Sequence, residues 1–327
     1  MKVVITGASG HIGANLVRAL IEKGTRTRCL VHVNSRAVDR LDTEIVRGDV
    51  GDVASLGRAF EGAEVVYHLA ACISLSMGDW PLLEAINVHG TKNVVEACRK
   101  AGVRRLVHFS SIHALEQAPL DNPVDESRPP VTSRRCPPYD RSKAAAEMEV
   151  RRGIEGGLDA VIIYPTAVLG PHDYQPSHFG EALLSMARNT LPALVTGGFD
   201  WVDVRDVVAG AVRAADIAPA GAGYLLSGHW LAMCDIAAMV GEITGRPAGK
   251  LVCPLWVARL GAPVIQAVSR FRGKRPLYTG VSLRALRSNR HISHGKATRE
   301  LGYRPRPFRE TLGDTLRWFE ADGQLTL

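Results

Sequence analysis

"MKVVITGASGHIG" (residues 1–13) sets a short β-branched run, Val3 to Ile5, directly before glycines at every third position: Gly7, Gly10 and Gly13. The stretch that follows, "ANLVRALIEKG" (14–24), carries Leu16, Ala19 and Leu20 at helical spacing, and Gly24 stands where a helix would end. Glycine is a poor residue inside strands and helices, so a cluster at this junction implies a backbone that turns tightly or approaches something closely. In a strand-to-helix turn Gly7 permits the reversal, Gly10 lets the backbone lie against a pyrophosphate, and Gly13 lets the helix pack closely on the sheet. The free N–H groups where that helix begins, around Ser9, His11 and Ile12, then face the phosphates.

The same alternation continues outward from this turn. Strand patterns fall at 2–6, 27–33, 43–47, 64–70, 105–111 and 160–165, with helical patterns between most of them. Continuously apolar strands alternating with helices predict an α/β fold, a doubly wound parallel sheet covered on both faces. Beyond 165 the pattern is less regular, with helical stretches near 178–188, 203–215, 232–244 and 309–320. A smaller, partly helical C-terminal substrate domain is expected. The dinucleotide-binding domain is assigned to 1–165 and 199–227, and the substrate domain to 166–198 and 228–327.

Composition is compatible with this reading and excludes others. The 327 residues are 46% hydrophobic and 22% charged, ordinary for a globular protein with a substantial core. The net charge of +7 is spread along the chain without a basic run, which argues against a nucleic-acid partner. Six separated cysteines match neither a zinc site nor a disulfide scaffold, and the histidines lack metal-ligand spacing, so no metal is expected. The longest apolar region, 251–271, is interrupted by Pro254, Arg259 and Pro263, which suits packed helices better than a membrane span. With no signal-peptide core, a cytoplasmic location is expected.

Cofactor choice should be decided after the second strand, where an acid would hydrogen-bond the adenosine ribose of NAD. Here "CLVHVNSRAVDR" (29–40) has no acid before Asp39, while His32 and Arg36 occupy the neighbourhood of a 2′-phosphate. NADP(H) is favoured, with NAD(H) the alternative. Asp49 in "RGDV" is placed to accept from the adenine amino group, Asp52 being the better helix cap.

The chemistry is expected in "PPYDRSKAAAEMEV" (137–150), where Tyr139 and Lys143 stand four apart on a helix opened by two prolines. An adjacent ammonium should lower the phenol's pKa and make Tyr139 a proton donor to a carbonyl oxygen. Ser111, at the end of "RLVHFSS", would orient the same carbonyl, with Ser110 the competitor. Asp203 and Asp206 are expected to cap and anchor a helix rather than act as acid and base.

"TGASGHIG", "GDV", "HLAA", "NVHGTKNVVEAC", "HFSS", "YDRSK" and "YPTAVLGP" occur here in the order and spacing of extended short-chain dehydrogenase/reductases, and the chain resembles that family over nearly its whole length. The segments 197–212 and 296–319 further resemble its dihydroflavonol 4-reductase-like branch, neighbour to the 3β-hydroxysteroid dehydrogenases. The resemblance implies a Rossmann domain and a catalytic set matching Ser111, Tyr139 and Lys143, supported by Asn87. It implies that Asp49 and Val50 contact the adenine and that Leu69, Ala70 and Ala71 line the cofactor. Lys143 would also hold the nicotinamide ribose, while the backbone from Tyr164 to Thr166 approaches the nicotinamide. Homodimers are common in the family.

Together these readings predict an NADPH-dependent reductase of a small carbonyl compound. Nucleotide-sugar epimerases of the family carry an Arg where this chain has Phe199 and Asp200, so an epimerase or dehydratase with tightly bound NAD is the alternative. A non-catalytic NADPH-binding regulator is the third reading. A mainly apolar substrate pocket is expected from Ile73, Leu75, Met77 and Trp80 together with Leu255, Trp256, Val257 and Leu260.

Overall fold

The computed structural model describes residues 2–191, 193–246, 251–271 and 278–326. Its first half is built from β1 (Lys2–Thr6), α1 (His11–Glu22), β2 (Arg26–Val31), β3 (Glu44–Arg47), α2 (Val53–Phe60) and β4 (Val65–His68). These are followed by α3 (Trp80–Leu83), a π-helical turn (Glu84–His89), α4 (Gly90–Lys100), β5 (Arg105–Phe109), α5 (Pro138–Glu155) and β6 (Ala160–Pro165). The remainder comprises β7 (Ala167–Leu169), α6 (His178–Ala187), β8 (Leu194–Val195), β9 (Gly198–Asp203), α7 (Val204–Ile217) and β10 (Gly223–Leu226). It closes with β11 (His229–Ala232), α8 (Met233–Thr244), β12 (Val252–Cys253), α9 (Leu255–Phe271), α10 (Gly280–Ala285), α11 (Gly295–Leu301) and α12 (Phe308–Ala321).

Seven strands form one parallel sheet in the order β10-β6-β5-β4-β1-β2-β3. Val3, Val4 and Ile5 are fully buried because helices cover both faces: Val3 and Ile5 pack with α1 and α7, and Val4 with α2, α4 and α5. The order reverses at β1, between β4 and β2, which is where a doubly wound sheet opens a crevice at its carboxyl edge. A second core forms around Leu183, Trp201, Ile236 and Phe319, beside a three-stranded sheet ordered β11-β9-β7.

β1, β3 and β6 end where the sequence predicts, whereas β2, β4 and β5 each stop two residues early. β5 ends at Phe109, and Ser111 instead caps a 3₁₀ turn (Ile112–Ala114), accepting from the His113 N–H at 3.2 Å. Gly24, at φ +71°, follows the last turn of α1, and Thr25 N–H bonds back to the Leu20 carbonyl at 2.9 Å. Asp52 caps α2 and Asp203 caps α7, while Asp206 accepts from Arg306. Among the described residues no helix is long and apolar enough to cross a membrane.

Candidate active site

The glycine turn is shaped by close backbone contact. Gly7 has φ +71°, and a Cβ there would lie 2.6 Å from Ala70 N, while one at Gly13 would lie 2.2 Å from the Gly7 carbonyl oxygen. Gly10 is exposed and opens α1 with no side-chain cap, so the first-turn N–H groups of α1 face outward. A Gly-lined helix start at the sheet's switch point fits a dinucleotide pyrophosphate. His11 closes the rim: its Nε2 lies 3.1 Å from the carbonyl oxygens of both Gly170 and Pro171.

From this turn a cleft of about 840 Å³ runs along the carboxyl edge of the sheet. Gly7, Gly10, His11, Ile12, Gly13, Leu69, Ala71, Ser111, Tyr139, Lys143 and Thr166 all line it. Pro138 opens α5, whose register then presents Tyr139, Lys143, Glu147 and Arg151 at successive four-residue steps. Lys143 is buried and donates from Nζ to the Phe109 carbonyl at 2.7 Å, which ties α5 to the end of β5.

The two serines part company here. Both line the cleft, but the Ser110 hydroxyl is taken up by Glu147, to which it donates at 3.1 Å, whereas the Ser111 hydroxyl accepts from the His113 N–H. The expected depression of the Tyr139 pKa by Lys143 is not what the structure holds. Burial pushes the phenol up to about 12, and the neighbouring Ser111 hydroxyl only partly offsets this. Burial also brings Lys143 down to about 8, with Glu147 pulling the other way.

Asn87 is buried in the π-helical turn, a departure from α-helical pitch that often marks functional positions. Its side chain accepts from Cys72 N at 2.7 Å, donates to the Cys72 carbonyl at 3.0 Å and donates to Ser142 Oγ at 2.9 Å. It thus joins the loop after β4 to the first turn of α5 without lining the cleft. Glu147 was not anticipated. It accepts from Ser110, from Arg151 at 2.7 Å and from the Tyr164 hydroxyl at 2.7 Å, and the four-residue ladder from Tyr139 was the signal that pointed to it. Tyr164 accordingly turns its side chain away from the cleft.

The remaining expected cofactor residues lie outside the cleft lining. Ala70 backs the glycine turn, Val50 is buried against Gly90, and Ser9 is partly exposed beside Gly10. Asp49 accepts from Gly51 N at 2.6 Å and faces His32 at 3.6 Å, both near the end of β2. Arg36 is engaged: its Nη2 donates to both carboxylate oxygens of Asp322, at 2.9 and 3.0 Å.

Residues 3–224 match the model of the NAD dependent epimerase/dehydratase family. The chain belongs to that family. It is 36% identical to sterol demethylase protein B of Methylococcus capsulatus, over 99% of this chain and all of that one. It is 28% identical to a 3 beta-hydroxysteroid dehydrogenase/Delta 5-->4-isomerase of Mycobacterium tuberculosis, over 93% of this chain and 86% of that one. The crystal structure of gox2253 superposes with a TM-score of 0.86 at 32% identity, covering 99% of each chain. Family membership makes the chain a nicotinamide-dependent enzyme of the extended short-chain dehydrogenase/reductase type.

In this family member the far end of the cleft is apolar, lined by Ile73, Leu75, Met186, Phe199, Met233 and Leu286. Of the loop residues expected there, Ile73 and Leu75 line it, whereas Met77 is exposed elsewhere and Trp80 stacks under Arg141 at 4.0 Å. The α9 residues do not take part as expected. Ala258 and Ala262 turn inward on that helix, so Trp256 and Leu260, a turn apart, point out with 66% and 74% exposure. Leu255 packs beneath the helix, and among the described residues of α9 only Arg259 lines the cleft. Helical phase, not composition, decided this.

Proposed function

We propose that the enzyme is an NADPH-dependent reductase, reversible as a dehydrogenase, of a ketone or aldehyde group on a mainly apolar small molecule. One observation carries this reading: a single cleft is lined by the glycine turn, by Ser111, Tyr139 and Lys143, and by a set of apolar side chains. The relatives named for sterol demethylation and 3β-hydroxysteroid dehydrogenation support an alicyclic, steroid-like carbonyl compound. The preference for NADP(H) over NAD(H) rests on Arg36 and on the lack of an acid between β2 and Asp39.

A bound nicotinamide dinucleotide supplies hydride to the carbonyl carbon, or accepts it in reverse. Tyr139 keeps its proton across neutral pH and donates it to the carbonyl oxygen, while Ser111 orients that oxygen. Lys143 sets a buried cation beside the site and would hold the ribose of a bound cofactor, and Asn87 fixes the turn of α5 from which Tyr139 projects. The apolar walls exclude water from the reacting atoms.

The test is a panel of aryl, alicyclic and steroid-like carbonyl compounds followed by loss of nicotinamide absorbance. Tyr139→Phe should keep dinucleotide binding and lose turnover by about 10²-fold or more. Near-normal turnover in that variant would remove Tyr139 as donor. Inactivity across the panel, with a nucleotide sugar epimerised without net NADPH oxidation, would replace the reductase reading by the epimerase one.

A further inference from the structure

The chain carries no acid between β2 and Asp39, yet the fold sets one on Arg36 from the other end of the chain. Asp322 is the C-cap of α12, and it stands 286 residues from the Arg36 whose guanidinium it binds through both oxygens. The pair is anchored on the acidic side. The Asp322 side chain is 13% exposed and accepts from Gln324 Nε2 at 2.7 Å, whereas the Arg36 side chain is 55% exposed. The guanidinium also lies 5.4 Å from the centre of the Tyr174 ring, whose hydroxyl accepts from Arg18 at 2.7 Å. Asp322 sits where the last carbonyls of α12 add their negative partial charge, so the helix end reinforces its hold on the cation.

We infer that Asp322 is a cofactor-specificity residue: it competes with a ribose 2′-phosphate for Arg36 and so narrows the preference for the phosphorylated dinucleotide. The inference rests on the reading of Arg36 as the 2′-phosphate partner. Both Asp322 contacts come from Nη2, so a phosphate drawn to the same guanidinium must share it with the carboxylate or displace the carboxylate from that nitrogen. Each arrangement sets a second negative charge beside the phosphate. A ribose 2′-hydroxyl carries no charge and meets no such rivalry.

The test is titration of the purified protein with NADPH, NADH and 2′,5′-ADP, read as dissociation constants from intrinsic fluorescence and calorimetry. Asp322→Asn keeps shape and removes charge, and Asp322→Ser serves as a second variant should the first fold poorly. We expect either variant to bind NADPH and 2′,5′-ADP about three- to fivefold more tightly, with NADH moving less than about twofold, the scale of one solvent-exposed ion pair. The gain should shrink with added salt and vanish when Asp322→Asn is placed on Arg36→Ala. Selective loss of NADPH affinity in Arg36→Ala, without any gain in the Asp322 variants, would overturn the competition and leave the Arg36 reading standing. An unchanged NADPH-to-NADH ratio in Arg36→Ala would overturn both.

Discussion

At Lys143 two forces act in opposite directions. Burial brings the ammonium down to about 8, and the Glu147 carboxylate, one turn further along α5, restrains the fall. Replacing Glu147 by Gln removes the restraint, so Lys143 should lose its proton at lower pH. The expected outcome is an alkaline limb of kcat/KM for carbonyl reduction that moves to lower pH in Glu147→Gln, with Tyr139 still protonated throughout. An unshifted limb would show that Glu147 only packs α5 against Ser110 and Tyr164. The Tyr139–Lys143 spacing was legible in the sequence because it is local. The direction of the phenol's shift was not, since desolvation depends on everything packed around the ring.

Among the elements, α1 and α2 offer a matched comparison of glycines. At Gly13 an added Cβ would meet the Gly7 carbonyl oxygen at 2.2 Å and Ala8 Cα at 2.8 Å, both backbone atoms that cannot step aside. Gly57, exposed within α2, has nothing within 4 Å of such a Cβ. Gly13→Ala should therefore cost about 1–3 kcal/mol of stability and weaken dinucleotide binding, while Gly57→Ala should stabilise by roughly 0.4–1 kcal/mol. Denaturant unfolding of the two variants, with NADPH titration of each, checks both signs. Both glycines are plain in the sequence, but only Gly13 falls within the strand-turn-helix pattern that gives it a role. The element ends were less legible: β5 stops at Phe109, two residues before the end read from the sequence, because the chain turns at Ser111 to cap a 3₁₀ turn.

For the molecule as a whole, α7 is joined to the C-terminal segment by charge. Asp203 is buried and accepts from Arg205 N, Nε and Nη2 at 2.7, 2.9 and 2.7 Å, and Arg205 reaches Asp314 of α12 at 2.7 Å. Burial alone would raise the Asp203 pKa, but the Arg205 side chain and backbone hold it below the usual value. A depressed carboxyl stabilises fully above the unfolded pKa of about 3.9 and loses that contribution as pH falls through the folded value. Asp203→Asn should lower unfolding stability at pH 7 by roughly 3 kcal/mol, with the deficit shrinking as pH falls below about 4. A constant deficit from pH 7 to pH 3 would mean that charge plays no part. What the sequence by itself determined is what short-range periodicity encodes: the alternation of strand and helix, the glycine turn, the Tyr139–Lys143 face and the caps at Asp52 and Asp203. Tertiary structure alone set Ser110 on Glu147, turned Trp256 and Leu260 outward, raised the Tyr139 pKa and set Asp322 on Arg36. Each of these depends on which distant segment fills the space beside a residue, and no local pattern along the chain records that neighbour.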